Sequence, residues 1–401
     1  MRTSPADRYD AVIVGARCAG AATALLLARA GLRVLLVDRA VPGTDTLSTH
    51  ALMRGGVVQL SKWGLLGAVV DAGTPPISRT LFDYGTHATT VTIRPAAGVD
   101  ALYAPRRTVL DALLVDAAVS AGAHVAFDVV VTGLHRDDSG RVRGVSGHTR
   151  GGPAFHAYAP VTVGADGLRS TVADAVDAPV TQRGRHAGAV WCTYVTGLPN
   201  EGYRWFWRPG TAAGLIPTNG GATCVFAGMP SGRFAVPARG GRWRALLATL
   251  AEAAPDVAAE LRSSSPVAPV RGWAGVPSIG RRAHGPGWAL VGDAGYFKDP
   301  LSTHGMTQAL RDAELLADSI LAAHSGAEPS GAALARYERT RDRLSAGLLT
   351  ATDALAAYDW DAAGVERLLR QLASAMSDEV EALAMTEASP GASAGRSART
   401  A

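Results

Sequence analysis

The chain has 401 residues, 47% of them hydrophobic and only 18% charged, a balance that supports a large buried core and excludes a disordered or collagen-like polymer. The formal charge is +4, the basic residues are arginines apart from Lys62 and Lys298, and no clustered Lys/Arg run occurs, which argues against a polybasic face for nucleic acid or anionic lipid. Cys18, Cys192 and Cys224 are too scattered for a disulfide framework or a structural metal site, and no apolar stretch reaches the roughly 18 residues that span a bilayer.

Met1–Tyr9 carries no signal-peptide core, so the cytoplasm is the expected compartment. Tyr9–Val14 is a β-branched run, the Ala/Leu segment from about Cys18 to Ala30 reads as a helix closed by Gly31, and Arg33–Val37 reads as a second strand ending in Asp38. The spacing predicts a β–α–β unit of about 30 residues. A loop and helix follow over Asp45–Gly56, then helix punctuation at Gly64 and Gly67. Tyr103–Gly122 reads as a connector and amphipathic helix, His124–Leu134 as one strand, and Arg141–Thr149 with Ala154–Val163 as a hairpin and the next buried strand. From about 178 to 280, short alternating strands rich in Trp, Tyr, Thr and Val predict an antiparallel sheet. Trp288–Val291 is again a buried strand, and helices are predicted over Met306–His324, Ala332–Tyr358 and Ala363–Met385, with a disordered tail over 388–401.

Chemistry concentrates where these strands end. Gly15-x-x-x-x-Gly20 lies between a strand and a helix, where backbone N–H groups at a helix N-terminus hold a dinucleotide pyrophosphate. Asp38, ending the next strand, is placed to accept from a ribose hydroxyl. The middle glycine of the usual motif is Arg17, whose guanidinium is expected to turn outward and help neutralise phosphate.

Further along come Val163-Gly164-Ala165-Asp166-Gly167-Leu168-Arg169-Ser170 and Leu290-Val291-Gly292-Asp293-Ala294-Gly295, then Asp299-Pro300 and Gly305. With the first motif they make the sequence resemble the group A FAD-dependent monooxygenases, the para-hydroxybenzoate hydroxylase-like superfamily, which includes geranylgeranyl-reductase-like enzymes and flavin halogenases. The resemblance implies an α/β fold, a Rossmann-like FAD-binding domain of the GR2 flavoprotein type with an inserted antiparallel-sheet substrate domain and C-terminal helices. It divides the chain into a flexible 1–8; a discontinuous FAD-binding domain of 9–74, 103–177 and 281–330; a substrate domain of 75–102 and 178–280; and C-terminal helices over 331–387.

The resemblance also implies site residues. Gly15, Arg17, Cys18, Ala19, Gly20, Asp38 and Arg39 would surround the ADP half of FAD. Asp166 belongs to a motif tied to FAD and NAD(P)H, and Gly292 and Asp293 to the ribityl contact. Arg107, with Arg106 as its rival, and Arg54 stand where relatives place phosphate- or nicotinamide-contacting arginines. Pro300, Gly305 and Met306 precede or open a helix whose N-terminus would favour negative charge on the flavin edge. His304 and His50, each in Ser-Thr-His, are the candidate catalytic bases, because a phenol hydroxylase needs a base near neutral pKa. Tyr296 is a candidate flavin contact, and Trp205 and Trp207 are candidates for either cavity wall or sheet core. Tyr203–Pro217 resembles the Trp-x-Trp-x-Ile-Pro signature of flavin halogenases, but eight residues separate Trp207 from Ile216 and no lysine lies early in the inserted segment, so halogenation is set aside.

The expected function is hydroxylation or epoxidation of a small aromatic or polyketide-like metabolite through a C4a-(hydro)peroxyflavin. NAD(P)H would reduce the FAD, O2 would be co-substrate, and the protein would be a monomer or homodimer without metal, nucleic acid or membrane. The alternative is a non-oxygenating reductase or dehydrogenase of a C–C bond.

Overall fold

Strand β1 (Ala11–Val14) leads into helix α1 (Cys18–Arg29) and strand β2 (Val34–Val37), the β–α–β unit the spacing predicts, in a computed structural model that describes residues 8–238 and 240–387. The chain continues through α2 (Arg54–Lys62), α3 (Leu66–Asp71), β3 (Arg79–Asp83), β4 (Ala88–Thr92) and α4 (Arg107–Ser120). Then come β5 (His124–Ala126), β6 (Val129–Arg136), β7 (Val142–Thr149), β8 (Ala154–Tyr158), β9 (Val161–Gly164) and α5 (Thr171–Ala175). The strand-rich stretch holds β10 (Val180–Arg183), β11 (Gly188–Thr196), β12 (Tyr203–Arg208), β13 (Thr211–Pro217) and β14 (Ala222–Pro230), followed by α6 (Arg242–Ala253), α7 (Pro255–Glu260), β15 (Arg271–Trp273) and β16 (Ile279–Arg281). The chain closes with β17 (His284–Gly285), β18 (Trp288–Leu290), β19 (Tyr296–Phe297), α8 (Gly305–His324), α9 (Ser330–Leu355) and α10 (Ala362–Glu387).

The first sheet runs β17-β18-β9-β1-β2-β5, with β18, β9, β1, β2 and β5 parallel. Both of its faces are covered, which is why β1 and β2 read as unbroken apolar runs. Ala11, Ile13, Val34 and Leu36 pack toward α1, whereas Val12, Val14, Leu35 and Val37 pack toward the three-stranded sheet β6-β7-β8. The order places β1 beside both β2 and β9, so Gly15, Asp38 and Ala165 emerge together at one edge. A second three-stranded sheet, β10-β16-β19, lies near the chain's return to the first.

A seven-stranded sheet, β15-β11-β14-β13-β12-β3-β4, forms the second large layer. It is antiparallel except where β12 lies parallel to β3, the join between residues 79–92 and the strands after 188. Its strands alternate in the expected way. Val190, Cys192, Tyr194 and Phe226 face the core they share with α1 and α8, and Trp191, Val195, Val225 and Ala227 face away. The outward face is covered by α6 and α7 through Leu246, Leu250 and Val257, two helices the strand-like reading of 178–280 does not predict.

Two predicted strands divide. Residues 124–134 break at Asp128, whose φ of 61° turns the chain from β5 in the first sheet to β6 in another. Residues 154–163 break at Ala159-Pro160, where a proline cannot donate to a ladder, giving β8 and β9. Among the described residues no helix is long and apolar enough to cross a membrane. The expected tail 388–401 and most of the expected 1–8 lead lie outside the described residues.

Candidate functional site

One cavity of about 600 Å³ is lined at once by the ends of β1 and β2, the start of α1, the turn after β9, the segment 293–306 and the inner face of the large sheet. The glycines at its first end are there because side chains would not fit. A Cβ on Gly15 would stand 2.4 Å from the Ala165 carbonyl oxygen at a φ of 107°, and one on Gly20 would stand 1.8 Å from the Gly15 oxygen. Arg17 is the N-cap of α1 and no side chain caps that helix, so the first turn presents N–H groups to the groove.

Three side chains meet at Asp111 on α4, one from its own helix and two from the start of α1. Arg107 donates to its Oδ1 at 3.0 and 3.1 Å, the Arg17 guanidinium lies 3.3 Å from Oδ2, and the Cys18 thiol donates to Oδ1 at 3.1 Å. Two guanidinium groups against one carboxylate leave an excess positive charge beside the helix N-terminus, the donor set that a pyrophosphate requires. Burial together with Asp111 pushes the Cys18 thiol well above its ordinary value, so Cys18 serves as a neutral hydrogen-bond donor. Asp38 accepts from Ala16 N–H at 2.6 Å and Ala40 N–H at 2.7 Å, which fixes its carboxylate on the groove wall beside Arg39.

Asp293 is open to the groove and enclosed by protein on its other sides. That enclosure pushes its carboxyl up to about 6, against the opposing pull of Lys298 and Arg107. Lys298 also lines the groove. Burial, with Arg311 adding to it, lowers its ammonium to about 7, while Glu379, Asp312 and Asp293 act the other way. Lys298 donates to Gln308 Oε1 and lies over the Tyr296 ring at 4.9 Å. Pro300, Gly305 and Met306 line the groove with Thr303, whose left-handed φ of 50° lets the turn close before α8.

Several sequence expectations need correction. His304 does not line the groove; its Nε2 lies 3.1 Å from Glu379 Oε2 on α10, with both side chains 1% exposed. Burial lowers the imidazole below its ordinary value even though Glu379 pulls the other way, and Arg311, 3.4 Å from Glu379, shares that carboxylate. His50 also turns away. Its left-handed φ of 63° directs Nε2 to the Tyr194 hydroxyl, and burial with Arg107 and Arg106 lowers it to about 3, unsuited to serve as a base near pH 7. Arg54 is not at the groove, because its guanidinium donates to the carbonyls of Arg94, Ala96 and Val99.

Arg106 pairs with Asp45 at 3.0 Å and covers the Tyr194 ring at 4.0 Å, so of these two rivals it is Arg107 that lines the groove. Gly20 and Gly292 act through packing: a Cβ on Gly292 would meet the Ala19 Cβ at 2.8 Å. Asp166 lines the groove, but its carboxylate is engaged by Ser170 Oγ and the Thr171 and Val172 N–H groups at the start of α5. Tyr296 is core, donating to the Ser345 carbonyl at 2.9 Å. Trp205 and Trp207 are core as well, packed on Phe226 and Trp360.

Sequence reasoning did not find Asp111, although its place four residues after Arg107 on one helix face is a readable signal. It also missed the apolar far end, where Val190, Phe226, Trp273, Phe297 and Tyr358 converge. Those contacts are set by sheet register and carry no local motif.

The groove's shape and donors fit a flavin dinucleotide, and the comparisons with known proteins agree. The family model described as "FAD binding domain" matches residues 8–352. Squalene epoxidase 3 of Arabidopsis thaliana is 26% identical over 77% of this chain, and the chain spans 59% of that protein's length. Digeranylgeranylglycerophospholipid reductase of Methanocella arvoryzae is 26% identical over 85% of each chain. In fold, PqsL of P. aeruginosa, solved in complex with 2-aminobenzoylacetate, superposes with a TM-score of 0.77 at 21% identity, covering 90% of this chain and 100% of that one.

Proposed function

Because the chain belongs to the FAD binding domain family, we propose that it is an FAD-dependent monooxygenase that places one oxygen atom of O2 on a small aromatic or polyketide-like molecule, with NAD(P)H as reductant. The observation that carries this reading is the single groove joining the α1 N-terminus to an apolar end under the large sheet. FAD, when bound, supplies the redox chemistry and oxygen activation that side chains lack.

The chain's own residues do the rest. The first turn of α1, Arg17 and Arg107 would hold the pyrophosphate, Asp38 would accept from the ribose and Asp293 from the ribityl hydroxyls. The N-terminus of α8 at Gly305 and Met306 favours negative charge at the ring edge. Val190, Phe226 and Trp273 exclude water from the reacting end. Lys298, a groove-lining ammonium lowered to about 7, is placed to give or take a proton, the task that the two histidines leave open.

A second reading has its own support, since the reductase relative covers 85% of both chains: reduction of a C–C double bond without oxygen. Purified protein should be yellow with stoichiometric FAD, and turnover in 18O2 should label the product. Unlabelled product with turnover intact under anaerobiosis would remove the monooxygenase reading in favour of the reductase.

A further inference from the structure

Tyr358 lies in the link between α9 and α10, past residue 352 where the family match ends. Its backbone is left-handed at a φ of 57°, a conformation that bulky residues seldom adopt and that is held here by the surrounding fold. The Tyr358 carbonyl accepts from Gly210 N–H at 2.9 Å, which pins the link to the hairpin between β12 and β13. The ring therefore enters the groove from outside the flavin-binding layers and lines its apolar end.

The large sheet is notched to receive it. A Cβ on Gly228 of β14 would stand 2.6 Å from the Tyr358 hydroxyl oxygen, and one on Gly188 of β11 would stand 3.3 Å from Cε2. Trp360 stacks behind at 6.0 Å and meets Trp207 edge-on at 5.8 Å, so the ring is braced from the side away from the groove. The nearby carboxylate, Asp299, accepts from Gly188 N–H at 2.6 Å and Leu301 N–H at 3.0 Å, so its charge is already engaged by the backbone. Burial, with Asp299 adding to it, keeps the Tyr358 hydroxyl neutral. The end of the groove thus offers ring faces and aliphatic surface.

We propose that Tyr358 is a specificity-determining residue whose ring forms the end wall of the substrate subsite, setting how far a flat, uncharged aromatic molecule extends past Phe226 and Trp273. This deepens the monooxygenase reading and rests on it for the subsite's purpose. The ring, rather than its hydroxyl, does the limiting.

The test titrates the FAD-loaded enzyme with phenol and with 2-naphthol and follows the flavin difference spectrum. Tyr358→Ala should improve binding of 2-naphthol relative to phenol by about tenfold or more, the scale on which a pocket discriminates by size, and Tyr358→Phe should keep the wild-type ratio. An unchanged ratio in Tyr358→Ala, an equal shift in Tyr358→Phe, or no response to either probe in any variant overturns the proposal. Gly228→Ala approaches from the other side, and by pushing the ring inward it should weaken phenol binding; unchanged affinity also overturns it.

Thermal unfolding of the Gly228→Ala, Tyr358→Ala and double variants completes the cycle. Gly228→Ala should lower the midpoint in the wild-type background and leave it nearly unchanged when Tyr358 is alanine. An equal loss in both backgrounds means that the ring does not occupy the notch. This cycle needs no flavin, so a protein that takes up no FAD sinks the functional reading while Tyr358 is still put to the test.

Discussion

Asp299 shows what a single buried carboxyl does to the pH response of the whole protein. Burial pushes it up to about 6 from an ordinary 3.8, despite the N–H groups of Gly188 and Leu301 that favour its charge. The folded state thus keeps this proton where the unfolded chain has lost it, so the stability it contributes is present below pH 3.8 and is lost as pH rises through about 6. The limiting loss is ~3 kcal/mol, from about two pKa units at 1.36 kcal/mol each. Asp299→Asn removes the charge and keeps an acceptor oxygen for one of the two N–H groups, which donate to different carboxylate oxygens. Its stability, from urea titrations at pH 4 and pH 7, should fall less over that range than the wild type's, and identical slopes would refute the assignment. Glu379 is the opposite case, a carboxylate that stays ionised against the burial opposing it because His304 and Arg311 hold it to about 2. Glu379→Ala removes the carboxylate that faces His304 Nε2, while Arg311 keeps Asp312 at 2.6 Å, and should cost about 1–3 kcal/mol in the same assay.

At the scale of elements, the meeting of β1 with α1 is where stability and binding are hardest to separate. Gly15→Ala puts a methyl group against the Ala165 carbonyl at a φ that alanine resists, so it should destabilise the chain by about 2 kcal/mol or more and also abolish FAD retention. Denaturant midpoint and absorbance at flavin wavelengths read the two effects in one preparation. This unit was legible because its signals are local: apolar runs, a glycine turn and an acid at a strand end. The long helices α8, α9 and α10 were legible for the same reason, within a few residues at their ends. The breaks at Asp128 and Pro160 were not, since each depends on which sheet the next residues join. Helix α6 was passed over although Leu246, Leu250 and Ala253 recur at helical spacing, because neighbouring strand signals dominated the window. His304 was misplaced for a long-range reason: its partner Glu379 lies on a helix with no motif to announce it.

For the molecule as a whole, the groove is a joint product of layers distant in sequence, and any ligand that fills it stabilises them together. FAD at a hundred times its dissociation constant should add about 2.7 kcal/mol, raising the thermal midpoint by a few degrees in a concentration-dependent way. Scanning calorimetry across an FAD series checks this, and a midpoint indifferent to FAD would mean that the groove holds something else. The phosphate end of the site could be read from sequence because one helix start builds most of it. The apolar end could not, because β11, β14, β15 and the link at Tyr358 supply it through register alone.

The pairing of β18 with β9, and of Glu379 with His304, has a consequence for synthesis. The central sheet lacks a neighbour until residues 288–290 arrive, and the turn before α8 lacks its brace until Glu379 arrives. A ribosome carrying a shorter product therefore exposes an unfinished cradle, and vitamin capture must await emergence of residue 379. Nascent chains stalled at successive lengths should remain colourless until α10 clears the exit tunnel.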